Sequence, residues 1–449
     1  MGAEERFMEA LEDTEPPGYE RLAGRHEKLQ QRHKAAMSDF LGEGNRTDAA
    51  IIKPRRYGEL LTWALHQHIK LERWETVRTL GHHSPQPAYV DVDTGEGESQ
   101  NLLRDGVLFI KKGDVRFTIT VELSLRADNS VVICGPDSNK EKIQEFAKGV
   151  EKIASEQNFY RGKKLEVAGR IRFLELPAKS WDSVIMDAEI KREIWANTIG
   201  FLASKERLAR YGILPKRGVL LVGEPGTGKT LVCKALMAEA QCVTCLLASA
   251  YGLGEEEYIT ELYQLAQDLA PSLVIIEDLD IIAQDRMEYG YSRGPALLAL
   301  LSTLDGIEEH REIVTVATTN HLEVIDKALG QRPSRFDRVI RITLPNLEQR
   351  KQFIASICRK ILLEEDTRDY VAHGTDRMTP AQIQEVIYSM VIGYAQNGSD
   401  DGSCLRFSKE VVDKAIARIN GKKQHHLGFT PGDNHNGDKR WNSEVLSQG

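Results

Sequence analysis

The sequence predicts an α/β fold. A parallel sheet carries a phosphate-binding loop, an all-helical segment follows it, and a smaller α+β domain with a helical leader precedes it. Three observations carry this reading. Between Arg217 and Leu344, short apolar runs alternate with helix-patterned stretches, the pattern of a parallel sheet covered on both faces. The first run leads straight into Gly223-Glu224-Pro225-Gly226-Thr227-Gly228-Lys229-Thr230, a G-x-x-x-x-G-K-T loop between strand and helix. From Val107 to Leu125, apolar and polar residues nearly alternate, as in half-buried antiparallel strands.

The predicted parallel strands are Gly218–Val222, Val243–Ala248, Leu273–Glu277, Ile313–Thr318 and Val339–Leu344. Residues 346–420 read as helices only: Leu347–Leu363, Thr379–Gln396 and Lys409–Ile419. Upstream, residues 1–80 read as polar helices. Leu60, Leu61, Ala64, Leu65 and Ile69 recur at helical spacing there, and Trp63 and Trp74 are expected to pack inside. Residues 81–100 read as a loop, 101–135 as strands with a hairpin turn at Lys111–Asp114, and 137–156 as an amphipathic helix. The expected organisation is a polar helical leader (1–50), an α+β domain that recruits a substrate or adaptor (51–160) and a linker (161–177). A large nucleotide subdomain (178–345), a helical lid (346–421) and a tail of disordered composition (422–449) follow.

At 449 residues, two or three domains are expected, and 41% apolar residues suffice for large cores. A net charge of −8 argues against nucleic acid as the main partner, though it leaves room for a local basic groove. Six cysteines in so long a chain suit a reducing compartment rather than a disulfide scaffold. The N-terminus has no apolar signal region, Arg6 replaces the Ser or Thr of a myristoylation motif, and no membrane segment is visible. A cytoplasmic location is expected.

The glycine-rich loop explains its own composition. Glycines let backbone N–H groups close around phosphate oxygens, and the following helix N-terminus adds partial positive charge. Lys229 is expected to reach the β- and γ-phosphates and Thr230 to ligate Mg²⁺, with Leu231 continuing the loop. Glu277 and Asp278 end an apolar strand, where doubly wound sheets bind ligands. By position, Glu277 is the metal-side acid and Asp278 the base for an attacking water; Asp280 is open to a structural role. Asn320 ends the next strand, where an amide can align that water. Arg332-Pro-Ser-Arg335-Phe-Asp-Arg338 holds more arginines than one nucleotide needs, so Arg335 and Arg338 are expected to serve a neighbouring subunit.

Taken together, these motifs resemble the AAA+ ATPases, specifically the core AAA clade, over about residues 178–420. The resemblance rests on SWDSVI, YGILPKRGVLLVGEPGTGKT, APSLVIIEDLD, ALLSTLDG, VATTN and RPSRFDR. It implies a P-loop NTPase sheet with an AAA+ helical lid, ATP and Mg²⁺ as cofactors, a hexameric ring with ATP at subunit interfaces, and mechanical work on a protein client. By the same resemblance Glu277 and Asp278 take the Walker B positions, Asn320 looks like sensor 1, and Arg335 and Arg338 look like arginine fingers. Ile185 and Met186 look like the segment flanking adenine, and Cys358 stands where a histidine near the adenine is frequent. Tyr251, with Leu253 beside it, occupies the place of a substrate-gripping pore loop. The acid pair is inverted from the usual Asp-Glu. That inversion and the lid sequence Met378-Thr-Pro-Ala-Gln-Ile383 are similar to the mitochondrial Bcs-type translocases.

Several signals read as bland. Cys242 and Cys245 form C-x-x-C on a strand expected to be buried, with no second pair nearby. His66, His68, His82 and His83 read as loop or helix-surface residues. The basic stretch Arg161–Lys164 reads as a solvated turn. His26-Glu27 opens like a zinc-protease helix, but position 30 is Gln, so no H-E-x-x-H forms. The leading expectation is an ATP-driven protein remodeller; a nucleic-acid-associated motor and a slow ATPase that assembles on ATP as a scaffold stay open.

Overall fold

Apolar runs that are buried on both faces need covering layers, and the computed structural model of the chain shows how they are supplied. It describes residues 19–421 except 96, 98, 125–126, 169, 177–179, 214, 283–293, 306–311, 324, 326–335, 360 and 398–404. Expectations for 1–18, for the tail, and for Arg335 fall outside the described residues. The chain divides into two units: one draws on residues 1–184, 188–223 and 229–342, the other on 185–187, 224–228 and 343–449.

The first unit contains two sheets. The N-terminal sheet follows helix α1 (Tyr19–Leu41) and comprises β1 (Arg46–Lys53), β2 (Glu75–Leu80), β3 (Ala88–Asp93), β4 (Ser99–Lys112), β5 (Val115–Glu122) and β6 (Asn129–Pro136). Its antiparallel order is β1-β6-β5-β4-β2, with β3 also on β4. β4 is long enough to pair with β3 along its first half and β2 along its second, with a tight turn between those two partners. That turn starts at Gly81, where a Cβ would lie 2.0 Å from the Ser84 carbonyl oxygen; a side chain is excluded there. Alternate residues of β6 are buried, so one face of the sheet meets helices α2 (Gly58–Leu71) and α3 (Lys140–Glu156). Leu61, Leu65, Phe117, Ile133 and Val150 are fully buried in that layer. Trp74 packs against Phe117 and Phe146 at ring-centroid distances of 4.9 and 5.5 Å.

The second sheet has the order β13-β9-β12-β11-β10-β7-β8. Its strands are β7 (Lys164–Ala168), β8 (Arg170–Phe173), β9 (Lys216–Val222), β10 (Thr244–Ser249), β11 (Ser272–Glu277), β12 (Ile313–Thr319) and β13 (Arg338–Arg341). β13 through β7 pair in parallel, and β8 returns antiparallel to β7. Every residue of β12 is buried, as strands covered on both faces require. The connecting helices described here are α4 (Ala188–Asn197), α5 (Ile199–Ala203), α6 (Lys205–Arg210), α7 (Lys229–Glu239), α8 (Glu256–Asp268) and α9 (Gly294–Asp305).

The fold class matches the sequence reading, but four segments do not. β1 and β2 lie in the region read as polar helices, and β1 carries the N-terminal sheet across the expected 50/51 boundary. β3 lies in the expected loop. Residues 161–177, expected as a linker, supply β7 and β8 to the edge of the large sheet. The reason is common to β2 and β3: they are edge strands with little buried surface, so apolar alternation is missing from β2 and is limited to Val90 and Val92 in β3, too short a run to mark a strand. β7 is only five residues long. Lys164 is not solvated either. Its Nζ donates to the carbonyls of Ala240 and Val243, the latter at 3.2 Å, and lies 3.4 Å from Cys245 Sγ. Of the C-x-x-C pair, Cys245 is buried, but Cys242 is exposed in a left-handed turn with φ +56° before β10 begins.

The second unit contains helices α10 (Leu347–Ile357), α11 (Glu365–Gly374), α12 (Pro380–Asn397) and α13 (Lys409–Gly421). They enclose Ile354, Val371, Ile383, Ile387 and Val412. Buried Arg350 ties this bundle together through the Ala372 carbonyl (2.8 Å), the Pro345 carbonyl (3.1 Å) and Asp376 (3.0 Å).

Lys164→Ala strips two carbonyls of their charged donor and is expected to destabilise the chain by about 1–3 kcal/mol in chemical unfolding. A solvated lysine would give a change within about 0.5 kcal/mol.

Candidate functional site

The site is built where β9, β11 and β12 end side by side. Val222 is in register with Thr319, and Ile276 with Ala317, so the residues just past each strand share one edge of the sheet. After β9 the chain turns through Gly226 and Gly228, at φ +83° and +97°, and enters α7 at Lys229. Thr227 closes this turn on itself, donating from its hydroxyl to the Glu224 carbonyl at 2.9 Å.

Lys229 is 7% exposed. Its Nζ donates to the Gly223 carbonyl and to Asn320 Oδ1, both at 2.7 Å. Burial holds its ammonium below the usual lysine range, although the charges of Asp278 and Asp280 pull it upward. Thr230 is exposed, so its hydroxyl is free to meet a cation. Glu277, the last residue of β11, is half-buried, and its Oε1 is buried with no hydrogen-bond partner among the described residues. A buried acceptor left without a donor suits a metal ion or a metal-bound water. The donor set of hydroxyl and carboxylate oxygens matches Mg²⁺.

The inverted acid pair has a local cause. Asp278 is the first residue past the strand and sits at φ +57°, with its N–H donating to Thr318 Oγ1 at 3.1 Å. Asp tolerates the left-handed region better than longer side chains do. The short acid therefore stands where the backbone turns, and the longer Glu stands on the strand. Asp278 is exposed at the site.

Asp280, open to a structural role on the sequence, has a definite place in the structure. It is 6% exposed and accepts from Thr319 Oγ1 at 2.9 Å and from the Asn320 N–H at 3.1 Å. Asp280 thus aims Asn320. The available signal was an acid two residues past the acid pair, with a Thr-Thr-Asn end on the neighbouring strand.

Arg338 begins β13 and is exposed. The residues before it are anchored: Phe336 is 2% exposed, and Asp337 Oδ2 accepts from the Gly218 N–H at 2.7 Å. Tyr251 lies on a single helical turn, Ala250–Leu253, and is 79% exposed. Leu253 is 2% exposed, so it belongs to the core and offers no grip to a substrate.

In the second unit, Ile185 and Met186 are half-buried. The Gly226 carbonyl accepts from the Ala381 N–H at 3.3 Å, and a Cβ on Gly226 would lie 2.9 Å from Ala381 Cβ. The unusual lid sequence has a physical reading: Thr379 Oγ1 accepts from the Gln382 N–H (3.3 Å) while Gln382 Oε1 accepts from the Thr379 N–H (2.9 Å). With Pro380 opening the helix, this is a capping box that starts α12 against the Gly226 turn.

Two variants test this geometry. Lys229→Ala removes the buried charge and is expected to weaken ATP binding by about 2–5 kcal/mol in calorimetric titration. Asp280→Ala frees Asn320, and ATP turnover is expected to fall about 100-fold while the nucleotide dissociation constant changes little.

Residues 219–344 match the family model of the ATPase family associated with various cellular activities (AAA). The ATP-dependent zinc metalloprotease FtsH 2 of Sphaerobacter thermophilus is 34% identical over 227 residues, 47% of this chain and 34% of that protein. The proteasome-activating nucleotidase of Methanosarcina mazei is 36% identical over 196 residues, 41% of this chain and 46% of that protein. The cell division cycle protein 48 homolog of Archaeoglobus fulgidus is 38% identical over 172 residues, 37% of this chain and 23% of that protein. The chain therefore spans less than half the length of each of these three relatives.

Proposed function

We propose that this chain, which belongs to the AAA+ ATPases, hydrolyses Mg·ATP and uses the energy to remodel, thread or translocate protein clients as a ring oligomer, a hexamer by analogy, in the cytoplasm. The observation that carries the reading is the buried Lys229 ammonium, held at a strand-end cluster with Asn320 and two carboxylates within electrostatic reach. When ATP is bound, Lys229 exchanges one of its carbonyl partners for phosphate oxygens, and the P-loop N–H groups from Gly223 to Thr230 take the remainder. Thr230 and Glu277 are the residues that would hold Mg²⁺, which would supply charge neutralisation to the transferred phosphoryl group. Asp278 accepts the proton of the attacking water, and Asn320, aimed by Asp280, aligns it.

Arg335 and Arg338 complete the site of the adjoining subunit. The anchored Phe336 and Asp337 support this, because they fix the backbone while leaving Arg338 exposed. Ile185 and Met186 flank the adenine. Tyr251, without Leu253, grips the client: an exposed aromatic ring wedges against an extended chain without reading its sequence. The N-terminal sheet receives the client or an adaptor. No helix among the described residues is long and apolar enough to cross a membrane.

Arg335→Ala is expected to bind ATP normally and to lose hydrolysis by about 10³-fold or more, with mixed rings poisoned. Normal turnover in that variant removes the finger assignment. Stimulation of the wild-type ATPase by an unfolded protein, and not by single- or double-stranded DNA or RNA, is expected; stimulation by nucleic acid alone would overturn the client class. Tyr251→Ala is expected to keep basal turnover and lose that stimulation.

A further inference from the structure

The turn between β2 and β3 carries two adjacent histidines that the nucleotide site does not use. Asp105 on β4 gathers this turn: its Oδ1 accepts the backbone N–H groups of His82 (3.3 Å) and His83 (3.1 Å), and its Oδ2 lies 2.5 Å from His83 Nδ1. With Nδ1 so engaged, His83 Nε2 faces Glu122 Oε1 at 3.8 Å. His82 stands beside it, at a ring-centroid distance of 4.4 Å. One ligand atom each from His82, His83 and Glu122 falls within 4.8 Å of the others.

The sheet explains why these groups meet. Asp105 and Glu122 are direct cross-strand partners on β4 and β5. Two carboxylates directly opposite repel each other. Among the described residues neither is paired with a lysine or arginine. The long β4 and the Gly81 turn then place both imidazoles over that acid pair.

We propose that His82, His83 and Glu122 bind one divalent ion of the Zn²⁺ class, with Asp105 orienting His83 from behind. Two imidazoles and one carboxylate select Zn²⁺, Co²⁺ or Ni²⁺ over Mg²⁺ and Ca²⁺. An aspartate that holds the far nitrogen of a ligating histidine is the usual support for such an ion. Metal–ligand bonds of about 2.0–2.2 Å put ligand atoms closer together than they stand here, so binding draws the three side chains inward. His83 and Glu122 are about half exposed and free to turn. The bound ion relieves the carboxylate repulsion and clips the β2–β3 turn onto β4 and β5. His33 of α1, stacked on His82 at 6.1 Å, brings the leader helix to the same place. The cluster lies outside residues 219–344, which carry the family match.

The test uses the full chain, stripped of metal and titrated with Co²⁺ in the absence of nucleotide. The expected result is one equivalent per chain with a visible d–d absorption band that Zn²⁺ displaces. The double variant His82→Ala, His83→Ala and the single variant Glu122→Gln should each lose the band while basal ATPase is kept. Asp105→Asn should weaken binding about 10–100-fold. No band in the wild-type chain, or an unchanged band in a folded Glu122→Gln or double-histidine variant, overturns the proposal. Glu122→Gln changes a half-exposed side chain, so the test stands even if the double variant fails to fold.

Discussion

A primary ammonium buried beside two aspartates is the constraint on which the nucleotide site depends. Taking a lysine out of water is costly unless its donors are satisfied. Here the donors meet the Gly223 carbonyl and Asn320 Oδ1, which come from two different strand ends. That pairing holds only if β9 and β12 keep their register, because a shift of one residue would move Asn320 away from the lysine and turn its side chain to the other face. The buried strands pin the register from inside the sheet, and the lysine pins it from the edge. In the proposed function a triphosphate would compete for the same ammonium, which would couple nucleotide occupancy to where Asn320 points.

Around this centre, short polar side chains fix the backbone at each strand end. Thr318 receives the Asp278 N–H, and Asp280 receives Thr319 and Asn320. Together they hold a left-handed residue at Asp278, which costs on the order of 1–3 kcal/mol when unsupported. The inverted order of the two acids is thus an accommodation to that turn. It leaves the longer carboxylate on the strand, with a buried oxygen that has no hydrogen-bond partner among the described residues.

The N-terminal sheet is joined to the nucleotide-binding sheet through α8. Tyr57 donates to Asp268 at 2.8 Å, and Arg55 and Arg56 converge on Glu261 at 3.2 and 2.6 Å. The Arg56 side chain is 4% exposed, and its Nε and Nη1 have no partner among the described residues. Removing Glu261 would strand that buried charge, a loss far larger than an exposed ion pair carries. This layer is therefore tied to the nucleotide sheet through α8.

The sequence alone determined the glycine-rich turn between β9 and α7, the parallel core strands and the helical region after them. Each of those rests on local chemistry: glycines at φ values other residues avoid, apolar runs, and 3.6-residue periodicity. It also named the strand-end residues, because a motif fixes its own spacing. Tertiary structure decided what depends on partners distant in the chain. β2, β3 and β7 are strands only because longer strands offer them hydrogen bonds, and their own side chains stay polar or few. Asp280 earned its role by facing residues forty positions away, and Leu253 lost its role by being folded inward. His82 and His83 were unremarkable in a loop until β4 and β5 set two opposed carboxylates beneath them. A sequence records what each residue is, whereas burial, register and the charge across a sheet exist only once the chain has closed on itself.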